Sequence, residues 1–209
     1  GYWSFDEGTG TIAKDLSGYN NNGTLYNFNW TTSSGWVDGK VGKALSFDGV
    51  DDYVQTVFQA FYYPMTIVIW VKTKDISTRH FIYSGNNTGG DGWGPNNETH
   101  LSQSTTGFRF YSQTNGVTHI NINGGEITPN DWQHVVGILA TTSYLYVNGN
   151  QVNSVTINGN PTFTGYENFT YFGRPDSVTR LMNGSIDEIR IYNRALSDAE
   201  IKSLYDVTK

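Results

Sequence analysis

Short runs of β-branched and aromatic residues recur along this chain, and turn-forming Gly, Asn and Asp residues separate the runs. Apolar and polar positions alternate within them, as in a strand whose successive side chains point to opposite faces of a sheet. The pattern therefore predicts an all-β chain with strands at Tyr2 to Asp6, Ala44 to Phe47, Tyr53 to Thr56, Met65 to Thr73, His80 to Ser84, Thr99 to Gln103, Gly107 to Ser112, Trp132 to Ala140, Ser143 to Val147, Gln151 to Ile157, Tyr171 to Arg174 and Gly184 to Tyr192.

The strongest local turn signal is Asn148-Gly149, which lies between two of these strands. Both residues tolerate the positive φ angles of a two-residue hairpin turn. We therefore expect a β-hairpin at this position.

One helix is predicted near the C terminus from its capping residues. Ser197 and Glu200 have the spacing of a capping box, in which each side chain accepts a hydrogen bond from a backbone N–H at the helix start. Leu196 and Ile201 occupy the positions of a hydrophobic staple. The predicted helix runs from Asp198 to Tyr205.

Composition and charge narrow the functional classes. With 209 residues the chain is long enough for one large two-sheet sandwich, and we expect residues 1–209 to form a single domain. A formal net charge of −6 provides no basic field for nucleic acid. No apolar run approaches the roughly 20 residues of a membrane span, so no membrane insertion is expected. Cysteine is absent, which excludes disulfides and cysteine nucleophiles.

Five stretches spread over nearly the whole chain carry a family resemblance. They are Tyr2-Trp-Ser-Phe-Asp-Glu-Gly-Thr-Gly, Asp15-Leu-Ser-Gly-Tyr-Asn-Asn-Asn-Gly-Thr, Gly42-Lys-Ala-Leu-Ser-Phe-Asp-Gly-Val-Asp-Asp-Tyr-Val, Asp131-Trp-Gln-His-Val with Tyr146-Val-Asn-Gly, and Gly184-Ser-Ile-Asp-Glu-Ile-Arg-Ile-Tyr-Asn-Arg-Ala-Leu. In this order they resemble laminin G-like jelly-roll domains of the concanavalin A-like lectin/glucanase superfamily. The resemblance implies a two-sheet antiparallel jelly-roll sandwich with one short C-terminal helix. It leaves function open, because this fold hosts lectins, glycan-binding modules, adhesins and glycosidases.

Residues 76 to about 126 depart from the compact family pattern, and we expect long loops there, including Gly85 to Asn97. Loops of this length are more often functional than short connectors. Trp93 offers an apolar ring face for stacking on a sugar, with a structural anchor as the alternative. The polar groups expected to bind sugar hydroxyls around it are those of Asp91, Asn96, Asn97, Glu98 and His100.

Other aromatic residues have simpler interpretations. Trp30, Trp36, Tyr62 and Tyr63 are weaker ligand candidates. The strand residues expected in the core are Trp3, Phe47, Trp70, Trp132, Tyr146 and Ile189. A packing role is also expected for His134, whereas His100 and His119 are open between ligand contact and an ordinary place in a strand.

A structural calcium ion is the expected cofactor. The stretch from Asp15 to Asn22 concentrates the carboxylate, hydroxyl and amide oxygens that Ca²⁺ prefers. In the family that the chain resembles, such a loop often shares calcium with the aspartate that opens the last strand, here Asp187. The predicted ligands are therefore Asp15, Ser17, Asn22 and Asp187, and the alternative is a set of Asx-turns without metal.

Glycoside hydrolysis requires two carboxyl groups that flank one bond. The adjacent pairs Asp6-Glu7, Asp51-Asp52 and Asp187-Glu188 lie in or beside predicted strands, so we expect their side chains to diverge. The E-x-D-x-x-E motif of the related glucanases is absent, and only Glu98 and Glu126 stay open as a pair. We therefore expect no catalytic residues.

These observations favour a non-catalytic, lectin-like module of a larger secreted or surface protein. Its expected partners are a glycan or polysaccharide, a surface protein and the remainder of its parent chain, and its expected location is extracellular or at the cell surface. The alternatives are a protein-binding adhesin and a structural spacer, with a glycoside hydrolase less favoured.

Overall fold

A computed structural model describes residues 1–31, 33–58, 62–86, 97–114, 116–157, 161, 169–174 and 179–209. In these ranges the chain forms two antiparallel eight-stranded sheets and one C-terminal helix. The predicted all-β sandwich is therefore confirmed.

The strands, numbered along the chain, have the following bounds: β1 Tyr2–Trp3, β2 Ile12–Ala13, β3 Gly23–Tyr26, β4 Gly35–Asp38, β5 Lys43–Asp48, β6 Tyr53–Thr56, β7 Met65–Thr73, β8 Arg79–Asn86, β9 Asn97–Ser104, β10 Gly107–Thr114, β11 Val117–Gly124, β12 Gln133–Leu139, β13 Thr142–Val147, β14 Asn150–Thr156, β15 Thr170–Phe172 and β16 Asn183–Tyr192. The helix α1 spans Asp198–Thr208.

The first sheet has the order β14-β13-β12-β7-β16-β5-β4, and β1 pairs with β16 outside this path. The second sheet has the order β11-β10-β9-β8-β15-β6-β3-β2. The inner faces of both sheets enclose one hydrophobic core, which includes Trp3, Phe47, Phe110, Phe172 and Ile189.

Helix α1 covers the outer face of the first sheet. Its N terminus has both hydrogen bonds of the predicted capping box, between Ser197 and Glu200. Leu196 and Ile201 are buried in a second apolar cluster with residues of β7, β12 and β13. The helix was predicted correctly, although it extends three residues beyond Tyr205. No helix in the described ranges is both long and apolar enough to cross a bilayer.

Several strand predictions are confirmed and others are corrected. The hairpin turn at Asn148 and Gly149 joins β13 to β14, and both residues have positive φ angles. Strands β2, β3, β4 and β11 were missed, because the first three are short and β11 carries mainly polar residues.

Residues 76–126 also differ from expectation. Their described part forms β8 to β11, and β9 is joined to β10 by a tight turn. Gly85 and Asn97, the ends of the predicted long loop, instead lie in β8 and β9, and residues 87–96 lie outside the described residues.

The predicted core position is wrong for Trp132. This residue precedes β12 and is half-buried, and the Lys72 ammonium lies 5.0 Å from the centroid of its ring. Trp70 is buried, but it lies on the outer face of the first sheet, where its indole N–H donates to Thr208 of α1. His134 packs against Trp70 and Tyr205, which agrees with its predicted structural role.

Candidate functional site

The outer face of the second sheet carries a continuous row of polar and aromatic side chains. On β10, Phe108 and Phe110 point into the core. The alternating residues Arg109, Tyr111 and Gln113 therefore face outward. The other strands of this sheet have outward side chains as well, although a bulge in β8 interrupts the alternation and places the adjacent Phe81 and Ile82 both in the core.

The register of the sheet aligns these outward residues across seven strands. Tyr111 lies opposite Asn121 on one side and His100 on the other, and the pairing continues through β8, β15, β6 and β3. The aromatic row defined in this way consists of Asn121, Tyr111, His100, Tyr83, Tyr171, Gln55 and Thr24. Six strand spacings of roughly 4.8 Å make it about 29 Å long. Its central members His100 and Tyr83 are buried, so the accessible part of the row lies in two halves, one around Tyr111 and one around Tyr171.

One half of the row has an aromatic platform beside it. The rings of Tyr26 and Tyr53 stack with centroids 4.8 Å apart and an interplanar angle of 13°. The Arg174 guanidinium lies 4.6 Å from the Tyr53 ring centroid and 5.9 Å from that of Tyr171. Tyr26 is 39% exposed, and Tyr53 and Tyr171 are half-buried. The platform thus presents ring surface together with a cation.

The other half is a stack of rings centred on His100. This imidazole lies 4.3 Å from the His80 ring and 5.0 Å from the Tyr111 ring, centroid to centroid. The Arg109 guanidinium packs over Tyr111 at 4.6 Å. Unlike Tyr111 and Arg109, both histidines are buried.

Burial fixes the charge state of the two histidines. It lowers the pKa of His80 to about 3, with smaller contributions from Arg180 and Arg109. The pKa of His100 is also well below its usual value, mainly through burial and then through the neighbouring His80. Their ring nitrogens have no hydrogen-bond partner among the described residues. At neutral pH both imidazoles are therefore uncharged, buried rings that pack against each other, and they are unsuited to proton transfer.

Hydrogen bonds orient the polar side chains that lie next to Tyr111 in the row. The Tyr111 hydroxyl donates to Gln113 Oε1 at 2.7 Å, and Gln113 Nε2 donates to Glu98 Oε1 at 3.2 Å. Arg109 Nε donates to Asn121 Oδ1 at 2.9 Å. Because these side chains are already oriented, a ligand would meet them with little loss of side-chain entropy.

The residues predicted for ligand binding are only partly described. Asn97, Glu98 and His100 lie on β9. His100 is a central member of the row, and Glu98 lies beside the row, where it binds Gln113. Asn97 is buried. Asp91, Trp93 and Asn96 lie outside the described residues. Sequence reasoning missed Tyr26, Tyr53, Tyr111, Tyr171 and Arg109, although the alternation in β10 already indicated that Arg109 and Tyr111 face away from the core.

The predicted calcium ligand Asp15 organises its loop through hydrogen bonds. Its carboxylate accepts from the backbone N–H groups of Tyr2, Ser17 and Asn21 and from the Asn21 side-chain amide, all at 2.9–3.0 Å. Burial opposes ionisation, but the hydrogen bonds from Ser17, Tyr2 and Asn21 outweigh it, so the pKa of Asp15 lies well below its usual range. Asn22 Oδ1 accepts from the Asp15 backbone N–H. These contacts correspond to the Asx-turn alternative.

Asp187 lies in different surroundings. Its Oδ2 accepts from the backbone N–H groups of Lys40 and Val41 at 2.8 and 3.0 Å. Its Oδ1 is buried without a hydrogen-bond partner among the described residues. Burial raises the pKa of Asp187 to about 7, and the nearby Glu188 adds to this. A buried, unpartnered carboxylate oxygen suits a cation, whereas no hydrogen bond in the described residues links Asp187 to Asp15.

The adjacent acidic pairs do not all diverge as predicted. A β-bulge at Glu188, whose φ is 52°, places two residues between the core residues Ile186 and Ile189, so Asp187 and Glu188 share the outer face. Oxygens of Asp48, Asp51 and Asp52 lie within 4.8 Å of one another, because Asp51 and Asp52 occupy a turn rather than a strand.

In the Asp48, Asp51 and Asp52 cluster, the buried carboxylate is held by hydrogen bonds within the fold. Both oxygens of Asp52 are engaged, by the Ser34 hydroxyl and by the Asp48 backbone N–H. The cavity near Tyr2 and the cavity near Lys72 are not lined by Asp48, Asp51 or Asp52.

The remaining acidic pair is too far apart. Glu98 lies opposite Gln113 at one end of β10, and Glu126 follows Gly124, which lies opposite Phe108 at the other end. Five residues of strand separate these positions by roughly 17 Å. A glycosidase needs its two carboxyl groups within roughly 9.5 Å of each other.

Comparison with solved structures identifies the same architecture elsewhere. Domain 4 of AbnA, an extracellular GH43 arabinanase from Geobacillus stearothermophilus in complex with arabinotriose, has a TM-score of 0.71 at 22% identity, covering 98% of this chain and 96% of that domain. The Trypanosoma rangeli sialidase in complex with the inhibitor DANA has a TM-score of 0.68 at 18% identity, and the match covers 98% of this chain but 32% of the sialidase chain. CBM40 of the Ruminococcus gnavus IT-sialidase, bound to α2,3-sialyllactose, has a TM-score of 0.59 at 20% identity, covering 70% and 84% of the two chains. At these identities the likeness establishes the fold.

No curated protein sequence matches the chain. A family model described as the Concanavalin A-like lectin/glucanases superfamily matches residues 48–202, well over half of the chain. The resemblance carried by the five sequence stretches is thereby confirmed, and the protein belongs to the concanavalin A-like lectin/glucanases superfamily.

Proposed function

We propose that this protein is a non-catalytic glycan-binding module that holds an oligosaccharide on the exposed part of the outer face of its second sheet. The observation that carries the proposal is the aromatic row, with the Tyr26–Tyr53 platform and Arg174 beside it. Glycan-bound domains of the same fold, complexed with arabinotriose and α2,3-sialyllactose, support the ligand class.

The chemistry of the row matches that of a sugar. Aromatic rings pack against the apolar C–H face of a pyranose or furanose, and amide and guanidinium groups bind its hydroxyls. Tyr53 and Tyr111 provide the rings, and Gln55, Asn121 and Arg109 provide polar groups at the same surface. In the proposal Trp93, Asp91 and Asn96 join this site from the segment between β8 and β9.

The absence of catalysis is part of the proposal. The two buried imidazoles, His100 within the row and His80 beside it, are uncharged at neutral pH, and Glu98 and Glu126 are separated by roughly 17 Å of strand. The row therefore supplies recognition groups without a general acid and base that converge on one bond.

Two further elements of the proposal concern calcium and location. We place a structural Ca²⁺ at Asp187, whose buried Oδ1 has no partner among the described residues, with Asp15, Ser17 and Asn22 as the other predicted ligands. When bound, the ion would compensate the buried carboxylate charge and anchor the last strand. As a glycan-binding module, the protein would act outside the cell as part of a larger secreted or surface protein.

Isothermal calorimetry tests the proposed function, with arabinotriose and α2,3-sialyllactose as probes after a wider glycan array. Tyr53→Ala and Tyr111→Ala should each weaken binding at least tenfold, about 1.4 kcal/mol. Tyr144→Ala is the matched control, since Tyr144 is a half-buried tyrosine on β13 of the first sheet and lies outside both the row and the lining of the cavity beside β1. Unchanged affinity in both row variants, with folding verified by circular dichroism, would contradict the proposed site. An array that shows no glycan but a protein ligand would favour the adhesin alternative.

A further inference from the structure

A cavity of about 700 Å³ opens where β1 lies against β16, at one end of the sandwich. Its walls come from both sheets and from the Asp15–Asn22 loop. The side chains that define its chemistry are Tyr2, Tyr19, Asn21, Tyr62, Tyr192 and Asn193. Binding pockets for small ligands usually measure roughly 300–1,000 Å³, so the cavity has the size of a ligand site.

Hydrogen bonds fix the walls of this cavity. The Asp15 carboxylate binds the backbone of Tyr2, Ser17 and Asn21, which ties the loop to β1. The Trp3 indole N–H donates to the Asn21 carbonyl oxygen at 3.0 Å, which anchors the same loop to the core. The Asp15 loop therefore forms a built wall even without a metal ion.

Charge inside the cavity is compensated. Two charged groups are found among the described residues that line it. The Arg190 guanidinium binds Glu188 Oε2 at 2.6 Å, and the Gly1 amino group donates to the Ile191 carbonyl oxygen at 3.1 Å, with its pKa lowered by burial. The Tyr2 hydroxyl donates to the other Glu188 oxygen at 2.9 Å, and the guanidinium lies 4.3 Å from the Tyr2 ring centroid. With its charge engaged in this way, Arg190 offers no free cation, so the cavity favours an uncharged ligand.

Exposed rings at the rim supply apolar surface. Tyr19 is 79% exposed, more than any other large hydrophobic or aromatic side chain among the described residues, and Tyr62 is 43% exposed. Rings in this position leave a flat apolar face in water unless a partner covers it. Together with the amides of Asn21 and Asn193, they combine ring faces with neutral hydrogen-bonding groups.

We infer that this cavity is a second binding site, which takes a short neutral oligosaccharide. The rings of Tyr19 and Tyr62 cover the C–H faces of the sugar, and the Asn21 and Asn193 amides bind its hydroxyls. The site shares no residue with the aromatic row and does not depend on it. A module with two sites can engage two stretches of one polysaccharide, which raises its overall avidity.

The test follows backbone amide resonances by NMR while cellotriose, xylotriose and arabinotriose are titrated in turn. We expect at least one of these neutral trisaccharides to shift the amides of Tyr19, Asn21 and Asn193. Tyr19→Ala and Tyr62→Ala should each weaken that interaction about tenfold. Trigalacturonate, a charged trisaccharide of similar size, should bind no more tightly than the neutral probes.

Tyr26→Ala separates this inference from the proposed function, because Tyr26 lies beside the aromatic row. It should leave the shifts at the cavity unchanged while it weakens binding at the row. The inference is overturned if none of the three probes shifts the cavity amides, or if a folded Tyr19→Ala variant binds as tightly as the parent. Shifts confined to the row would overturn it and leave the proposed function intact.

Discussion

Replacement of Asp52 by Asn should change how the stability of this protein depends on pH. Asp52 is 1% exposed, and its carboxylate accepts from the Ser34 hydroxyl at 3.0 Å and the Asp48 backbone N–H at 2.9 Å. Burial raises the pKa of Asp52 to about 6. The two hydrogen bonds lower the pKa, and the negative charges of Asp48 and Asp51 raise it further.

The sign follows from linkage between proton binding and folding. An unfolded aspartate has a pKa of about 3.9, below the folded value, so the folded state binds the proton more tightly. The stabilisation is therefore fully present below about pH 4 and is lost as the pH rises through 6. A difference of two pKa units between the folded and unfolded states corresponds to about 3 kcal/mol in the free energy of unfolding. About 2 kcal/mol of this is lost between pH 4.5 and pH 7.5. Solvent near the exposed Asp51 screens part of the effect, so we expect roughly 1–2 kcal/mol.

Urea denaturation at pH 4.5 and 7.5 measures this effect as a difference between proteins. From pH 4.5 to 7.5, the free energy of unfolding should fall by roughly 1–2 kcal/mol more in the native chain than in Asp52→Asn. Titration of the other groups cancels in this comparison. Asp51→Asn is the matched control, because Asp51 is an exposed neighbour of the same turn, and it should retain most of the pH dependence. Equal pH dependence in Asp52→Asn and the native chain would refute the reasoning.

Four other predictions concern the metal, catalysis, the helix cap and Trp93, which lies in the segment between β8 and β9. EDTA should lower the melting temperature and calcium should restore it, since calcium at 100 times its Kd adds about 2.7 kcal/mol to the free energy of unfolding. If native mass spectrometry finds no bound metal and EDTA leaves the melting temperature unchanged, the site at Asp187 is contradicted. No reducing ends should be released from β-glucan, agar or xylan, and a release that Glu98→Gln or Glu126→Gln abolishes would overturn the non-catalytic assignment. Ser197→Ala should cost about 1 kcal/mol in urea denaturation through loss of the N-cap, and an unchanged midpoint would argue against this contribution. Trp93→Ala should weaken glycan binding by roughly thirtyfold, about 2 kcal/mol, and calorimetry that finds a folded variant within about twofold of the parent would move the recognition surface elsewhere.

Features that depend on a few neighbouring residues could be predicted from the sequence. Asn148-Gly149 specifies its hairpin because the positive φ angles are a local requirement. The capping box of Ser197 and Glu200 specifies the helix start because both hydrogen bonds close within four residues. The alternation of β10 places Phe108 and Phe110 in the core for the same local reason.

Pairing between distant strands decided the candidate site. Tyr111, His100 and Tyr171 are aligned only because β10, β9, β8 and β15 pair in one register, and no local signal specifies that order. The bulge at Glu188 likewise appears only when β16 pairs with β7, and it places Asp187 and Glu188 on one face.

The cavity beside β1 likewise could not be predicted from the sequence. Tyr2, Tyr19, Tyr62 and Asn193 are far apart in sequence, and the closure of two sheets brings them together. Alternation and capping are satisfied by backbone geometry and hydrogen bonds within a few residues, so the sequence alone specifies them. Surfaces shared by several strands depend on which of many non-local pairings buries the most apolar area, and only the folded chain decides that.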